Sequence, residues 1–225
     1  MNLKETIAAL AAAGSEQTRK TYRRHCVTGE MYGVSYADLE KLRKAINVDH
    51  GLAEALWRTG NHDARVLATM IADPTGTSAS TLSAWANETQ NHVLAGALST
   101  LASKTPSAQN CFREWSVSPN EAVSAAGWHL LAELATNDQK LPDPFFEAQL
   151  KTIEDQIHTS QNRTRYSMNG ALIAIGCRNS RLEKQAIQAA KRIGKVEVDH
   201  GDTSCKTPDS IAYIQKVKAR KKKTT

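Results

Sequence analysis

The sequence predicts an all-α fold, an α-solenoid of antiparallel helix pairs. Three observations predict it. Apolar residues recur at i, i+3 and i+4 in consecutive windows of roughly 10–15 residues. Short polar turns between those windows carry Ser, Asn, Asp or Gly where helix caps belong. Aromatic residues make up only 5% of the chain while alanine abounds, which favours helix over sheet. The 225 residues are enough to bury a real core, as one generous domain or two small ones. A hydrophobic share of 40% with 23% charged residues excludes wholesale disorder.

The elements follow in order. "MNLKETIAALAAAG" holds Lys4 and Glu5 inside its helical pattern and is short, so it reads as an amphipathic helix rather than a signal peptide. "SYADLEKLRKAI" opens on Ser35 as N-cap and places Leu39, Leu42 and Ile46 on one face. "DHGLAEALWRTG" closes on Gly60, and "NHDARVLATMIAD" starts at Asn61 and stops before Pro74. "SASTLSAWANET" and "NHVLAGALSTLAS" follow, then "SPNEAVSAAGWHLLAELAT" with Pro119 near its first turn. "PDPFFEAQLKTIEDQIHT", "NRTRYSMNGALIAIGCR" and "SRLEKQAIQAAKRIG" complete the run. Only "KVEVDHG" alternates like a strand, enough for a short loop, arm or hairpin, and "PDSIAYIQKVKARKKK" reads as a terminal helix. Two segments, "NHDARVLATMIA" and "NEAVSAAGWHLLAEL", begin with Asn and an acidic residue and then turn small and apolar, as the second helix of a HEAT-type unit often does. This organisation makes residues 1–215 a HEAT-like repeat domain and 216–225 a basic tail. The competing architecture is a compact, non-repetitive helical bundle.

Charge is unevenly spread. Residues 1–160 carry 14 Lys+Arg against 18 Asp+Glu, a net −4, whereas residues 161–225 carry 15 against 5, a net +10. A block this basic on a near-neutral body is the footprint of a polyanion partner, with nucleic acid first. Six of those cations belong to "KVKARKKKTT", but residues 161–215 alone still hold a net +4. Cys26, Cys111, Cys177 and Cys205 are scattered without a CxxC pair, which suits reduced, intracellular thiols. No stretch approaches the ~18 apolar residues of a membrane span. The expected location is the cytoplasm.

Two stretches, "YGVSYADLEKLRKAI" (Tyr32 to Ile46) and "LWRTGNHDARVLATMIAD" (Leu56 to Asp73), resemble the DNA alkylation repair family with HEAT-like repeats, typified by the bacterial AlkD-like alkylpurine DNA glycosylases. In that family a Gly-hydrophobic turn precedes the first helix, and a Leu-Trp pair precedes an acidic-led helix. The resemblance continues through "NRTRYSMNGALIAIGCR" and implies a curved solenoid whose concave, basic face holds duplex DNA. It also implies where glycosylase chemistry would sit. The family places a Trp and, one helical turn later, an Asp that stabilises positive charge on the sugar as the damaged base leaves. A further Arg and a second Trp complete the set. By alignment these Trp, Asp, Arg and Trp positions read His92, Gly96, Ser124 and Gly170 here. Glycine supplies no carboxylate, and a cationic His92 suits an oxocarbenium ion poorly, so excision by the family's usual route is not expected. The residues Trp85, Glu88 and His92 would share one face only if their helix ran unbroken, and Asn91 reads as a fresh helix start. Trp57 and Trp128 sit at apolar helical positions and read as core.

DNA binding does not need the catalytic set. The candidate phosphate contacts are Arg163, Arg165, Arg178, Arg181, Lys184, Lys191, Arg192, Lys195 and Lys206. Lys191 and Lys195 lie one helical turn apart, as do Lys184 and Gln188, which permits a basic stripe. Arg19, Lys20, Arg23 and Arg24 offer a second contact. The bland alternative is a set of solubilising surface charges.

The densest group of chemistry-bearing residues is "VEVDHGDTSCKTPDS", Val196 to Ser210, with Asp199, His200, Asp202 and Cys205. As a zinc site it lacks the fourth ligand that structural zinc demands. As a Cys-His nucleophile it needs an alignment that loop spacing does not supply. The reading with the fewest assumptions is structural. Asp202 or Thr203 bonds its own backbone, Gly201 allows positive φ, Thr207 N-caps a helix with Pro208 at its first position, and Asp209 suits the dipole. Lys206 beside a helix start also suits a phosphate.

The expected function is therefore DNA binding, with damaged or branched DNA as partner, by a monomer that uses no cofactor and no metal. The alternatives are a glycosylase with non-standard residues and a HEAT-type scaffold for protein partners.

Overall fold

The computed structural model describes residues 1–224, with side chains as far as Arg220. Lys221, Lys222 and Lys223 of the basic tail lie outside the described side chains. Among the described residues there are thirteen α-helices and no strand. The chain divides into two compact units, Met1–Cys111 with Gly201–Thr203, and Phe112–His200 with the residues from Ser204 onward. The helix α8 (Ala108–Trp115) runs across the division.

The first unit holds α1 (Leu3–Ala13), α2 (Glu16–Arg24), α3 (Tyr36–Ile46), α4 (His50–Arg58), α5 (His62–Ile71), α6 (Ala79–Asn87) and α7 (His92–Ala102). Its helix starts follow the cap chemistry of the sequence. The side chains of Ser15, Ser35, Asp49, Asn61, Ser78 and Asn91 each accept a backbone N–H of the first turn. At α1, Asn2 and Glu5 close a reciprocal capping box. Alternate helices touch, with α5 packing against both α3 and α7, while neighbours pair as α4 with α5 and α6 with α7. That is the contact pattern of stacked helix pairs. α5 is buried almost all round, from His62 through Leu67 to Ile71, and forms the axis of this core.

Two features fix the unit. Trp57 and Trp85 stack with ring centroids 4.3 Å apart and planes 3° from parallel. Trp57 Nε1 donates to Glu88, and Arg65 lies over the Trp57 ring while pairing with the same carboxylate at 2.6 Å. Glu88 is thus a structural partner, and α6 ends before it at Asn87 while Asn91 caps α7. The second feature is Asp63, which is fully buried. Its carboxylate accepts the backbone N–H groups of Tyr32 (2.7 Å), Gly33 (3.0 Å) and Val34 (2.8 Å). Gly33 is required there. Its φ is +78°, and a Cβ would come within 2.5 Å of the Ser15 carbonyl oxygen.

The second unit holds α9 (Glu121–Asn137), α10 (Asp143–Gln156), α11 (Asn162–Gly176), α12 (Ser180–Ile193) and α13 (Ser210–Thr224). α11 packs most extensively on α9, α10 on α12, and α13 on both α11 and α12. Alternate helices again touch. The run Val123 to Trp128 of α9 is buried, and Trp128 takes an edge-on contact with Phe112 at 5.8 Å, so Trp128 is core as its position predicts. α13 docks through Ile214, whose Cδ1 stands only 2.5 Å from where a Cβ on Gly176 would lie. A Cβ at residue 176 would push the Ile214 side chain aside and press on Ala186, so the glycine eases this close approach.

The stretch between α12 and α13 departs from the sequence reading in three ways. "KVEVDHG" forms no strand among the described residues, because its backbone bonds to side chains of α11 rather than to a neighbouring strand. α12 ends at Ile193 and Gly194 turns the chain at φ +72°, so Lys191 and Lys195 do not share a helical face. α13 begins at Ser210, two residues later than the Thr207 cap expected. Asp209 caps it instead by accepting the Ala212 N–H, and Thr207 Oγ1 bonds His200 Nε2 at 3.0 Å.

Candidate nucleic-acid interface

Within the second unit, one face of α11 meets connector residues 194–200 and 205–209. Asn162, Arg165 and Asn169, spaced i, i+3 and i+7, fall on that face. Asn162 bonds Asp199 twice, its amide donating to the carbonyl and its oxygen accepting the N–H, both at 2.8 Å. Arg165 donates to the carbonyls of Glu197 (2.9 Å), Ser160 (3.0 Å) and His158 (3.3 Å). Asn169 donates to the Pro208 carbonyl and accepts from the Ser210 hydroxyl. Three polar side chains thereby replace the ladder that a hairpin would have supplied.

The connector does not close onto α11 along its whole length. An open pocket of about 1140 Å³ remains, bounded by α11, the end of α12, the connector and the first turn of α13. Leu172, Ile193 and Ile211 give it an apolar wall, and Lys191, Lys195 and Lys206 stand at its edge. His200 also borders it, edge-on to Tyr166 at 5.4 Å. Burial and then the charge of Arg163 hold His200 below the usual histidine range, against the opposing pull of Asp199. Among the described residues no group of three or more His, Cys, Asp and Glu comes together as metal ligands.

The nine candidate cations fall into distinct groups. Arg178 turns inward, donating to the carbonyls of Ala135 (3.1 Å) and Leu141 (2.8 Å) and lying over the Phe146 ring. Arg165 is likewise spent on carbonyls. Arg181 pairs with Glu147 at 2.8 Å, Arg192 grips Glu154 with two nitrogens, and Lys195 pairs with Glu197 at 2.8 Å. The hydrogen bonds from Arg192 and Lys195 hold Glu154 and Glu197 below the usual carboxylate range. Arg163, Lys184, Lys191 and Lys206 make no ion pair among the described residues, and the three lysines are exposed. At the other candidate contact, Arg19 and Arg23 both pair with Glu16, while Lys20 and Arg24 stay exposed.

The positions that the family's chemistry would occupy are also visible. His92 opens α7, half-buried, with its ring 5.7 Å from that of His25. Gly96 lies in the same helix. Ser124 is buried and donates to the Ser116 carbonyl, and Gly170 sits on the exposed side of α11 with open space beside it. None of the four carries a carboxylate.

Sequence reasoning missed Asn162, Asn169 and Asp63. The first two carried a signal, a polar i, i+3, i+7 stripe with Arg165 between them. Asp63 was visible only as an acidic residue in a helix start, where a first-turn charge is ordinary.

No helix among the described residues is long and apolar enough to cross a membrane. Residues 6–214 match the model of a family described as DNA alkylation repair enzyme. The chain is 34% identical over 218 residues to Lin0241 of Listeria innocua serovar 6a, covering 94% of this chain and 95% of that protein. It is 33% identical over 220 residues to Lmo0209 of Listeria monocytogenes serovar 1/2a, covering 95% and 96%. A solved structure described as "a new family of proteins related to the HEAT-like repeat DNA glycosylases with affinity for branched DNA structures" superposes with a TM-score of 0.91 at 29% identity, over 98% of this chain and 95% of that one. The stacked helix pairs and the near end-to-end matches lead to one conclusion: the chain belongs to the DNA alkylation repair enzyme family, with the all-α HEAT-like repeat fold.

Proposed function

We propose that this protein binds DNA, with branched or damaged duplexes as its targets, and does not excise bases by the family's usual chemistry. The observation that carries the reading is the near full-length likeness to a structure described as having affinity for branched DNA. The net +10 of residues 161–225 supports it. The phosphate contacts in this reading are the cations left without a carboxylate, Arg163, Lys184, Lys191 and Lys206, while Arg165 and Arg178 hold the fold. Arg181, Arg192 and Lys195 contribute less, since each must first leave an acid. The protein acts as a cytoplasmic monomer in this reading, with 1–215 as the repeat domain and 216–225 as a basic extension.

Titration of labelled four-way junction and matched duplex at two salt concentrations tests it. Salt-sensitive binding with preference for the junction is expected. Replacing Lys184, Lys191 and Lys206 together by Ala should flatten the log–log salt slope by about 0.9 per lost phosphate contact. Arg181→Ala with Arg192→Ala should change it less. Absence of salt-sensitive binding to either DNA overturns the reading.

A further inference from the structure

We propose that the pocket between α11 and the 194–209 connector receives the phosphorylated end of an unpaired DNA strand. The proposal rests on the DNA-binding reading and adds the part of the DNA that enters the pocket. Its wall is amphipathic. Half-buried Ile211 offers apolar surface for a base, backed by the buried Leu172 and Ile193, and Lys191 and Lys206 offer charge at the edge. Behind them Arg165 is pinned on three carbonyls and has no carboxylate partner, unlike Arg181 and Arg192. Its positive charge is therefore fixed in the wall, where it is felt by Glu197 but makes no ion pair.

The acids around the pocket weaken this field but do not reverse it. Glu197 is bonded to Lys195, and Asp209 accepts the Ala212 N–H as the cap of α13. Asp199 is held by its backbone to Asn162. Four cations face three carboxylates, with His200 held toward its neutral form. A terminal phosphate monoester carries more charge than a diester within the chain, so this surplus favours an end over an internal linkage. A pocket of about 1140 Å³ is large for one small molecule and open, which suits a group still attached to a strand.

The test compares short single-stranded oligonucleotides ending in hydroxyl, 5′-phosphate or 3′-phosphate, a four-way junction whose arms are closed by hairpin loops, and free deoxynucleoside monophosphates. One phosphorylated end should bind about tenfold tighter than the hydroxyl end at low salt. In the Lys191→Ala, Lys206→Ala double variant that ratio should fall to about one. Lysines that merely touch the strand's backbone would weaken both oligonucleotides and leave the ratio intact, and that outcome overturns the proposal. Monophosphates binding as tightly as the phosphorylated end also overturn it. Closed junction bound without any phosphate preference sinks the pocket alone. Phosphorylated ends bound without salt-sensitive junction binding sink the broader reading of branched DNA and leave the pocket standing.

Discussion

Both units contain an irregular segment tied down by side chains of a helix, and they do it in opposite ways. In the first, the turn Tyr32–Val34 hangs from one buried carboxylate, Asp63, which takes three backbone N–H groups. In the second, the 194–209 connector hangs from amides and a guanidinium spread along α11, all of them partly exposed except the buried Asn169. One acid gathers its segment to a point and leaves no room. Three long or amide side chains set the segment at intervals and leave a pocket beneath it. Contacts gathered on one buried carboxylate hold their segment tightly, while contacts spread along a helix leave space for a partner.

Breaking the cradle should have the largest effect. Asp63→Ala leaves three N–H groups without acceptor, each costing about 1–3 kcal/mol when buried. The expected loss is roughly 3–5 kcal/mol in urea unfolding, allowing for relaxation around the site. Asp63→Asn, which keeps one acceptor oxygen, should fall between. A loss below about 1 kcal/mol would mean that the turn is held by packing alone.

The connector should respond more gently. Asn162→Ala removes two bonds at a half-exposed site, where about 1 kcal/mol of stability is at stake. Amide exchange at Asp199 should quicken while that at Gly33 stays slow. Equal quickening at both positions would erase the contrast between the two anchors.

The smallest effect concerns pH. His62 is buried beside Tyr22, with ring centroids 4.9 Å apart. Burial holds its imidazole below the usual histidine range, and the adjacent Asp63 opposes that shift. The unfolded chain therefore takes up the proton first. The stability that neutral His62 provides is complete above about pH 6.5 and declines as pH falls below it. Urea midpoints measured from pH 7 to pH 5 should show this decline, and His62→Leu should reduce it. An unchanged slope in the variant would place the acid sensitivity elsewhere.

The contrast also marks what could be read in advance. Cap residues act within one turn of chain, so Ser35, Asn61 and Asn91 were legible as helix starts. The alternation in "KVEVDHG" pointed to a strand because a local pattern cannot reveal which partner the backbone will find. The nine candidate cations were chosen by residue type and region, and which of them already hold an acid depended on residues 30 or more positions away, such as Glu154 for Arg192 and Glu147 for Arg181.

The sequence by itself determined eleven of the thirteen described helices, all but α2 and α8, with their order and the basic bias of the last 65 residues, because periodicity, capping and charge are written in short stretches; the family followed from the resemblance of two such stretches. Tertiary structure alone decided that Asp63 is a keystone, that Arg165 and Arg178 serve the backbone, and that a pocket opens beneath the connector. Each of those facts depends on which distant group meets a side chain, and that is fixed only when the helices pack.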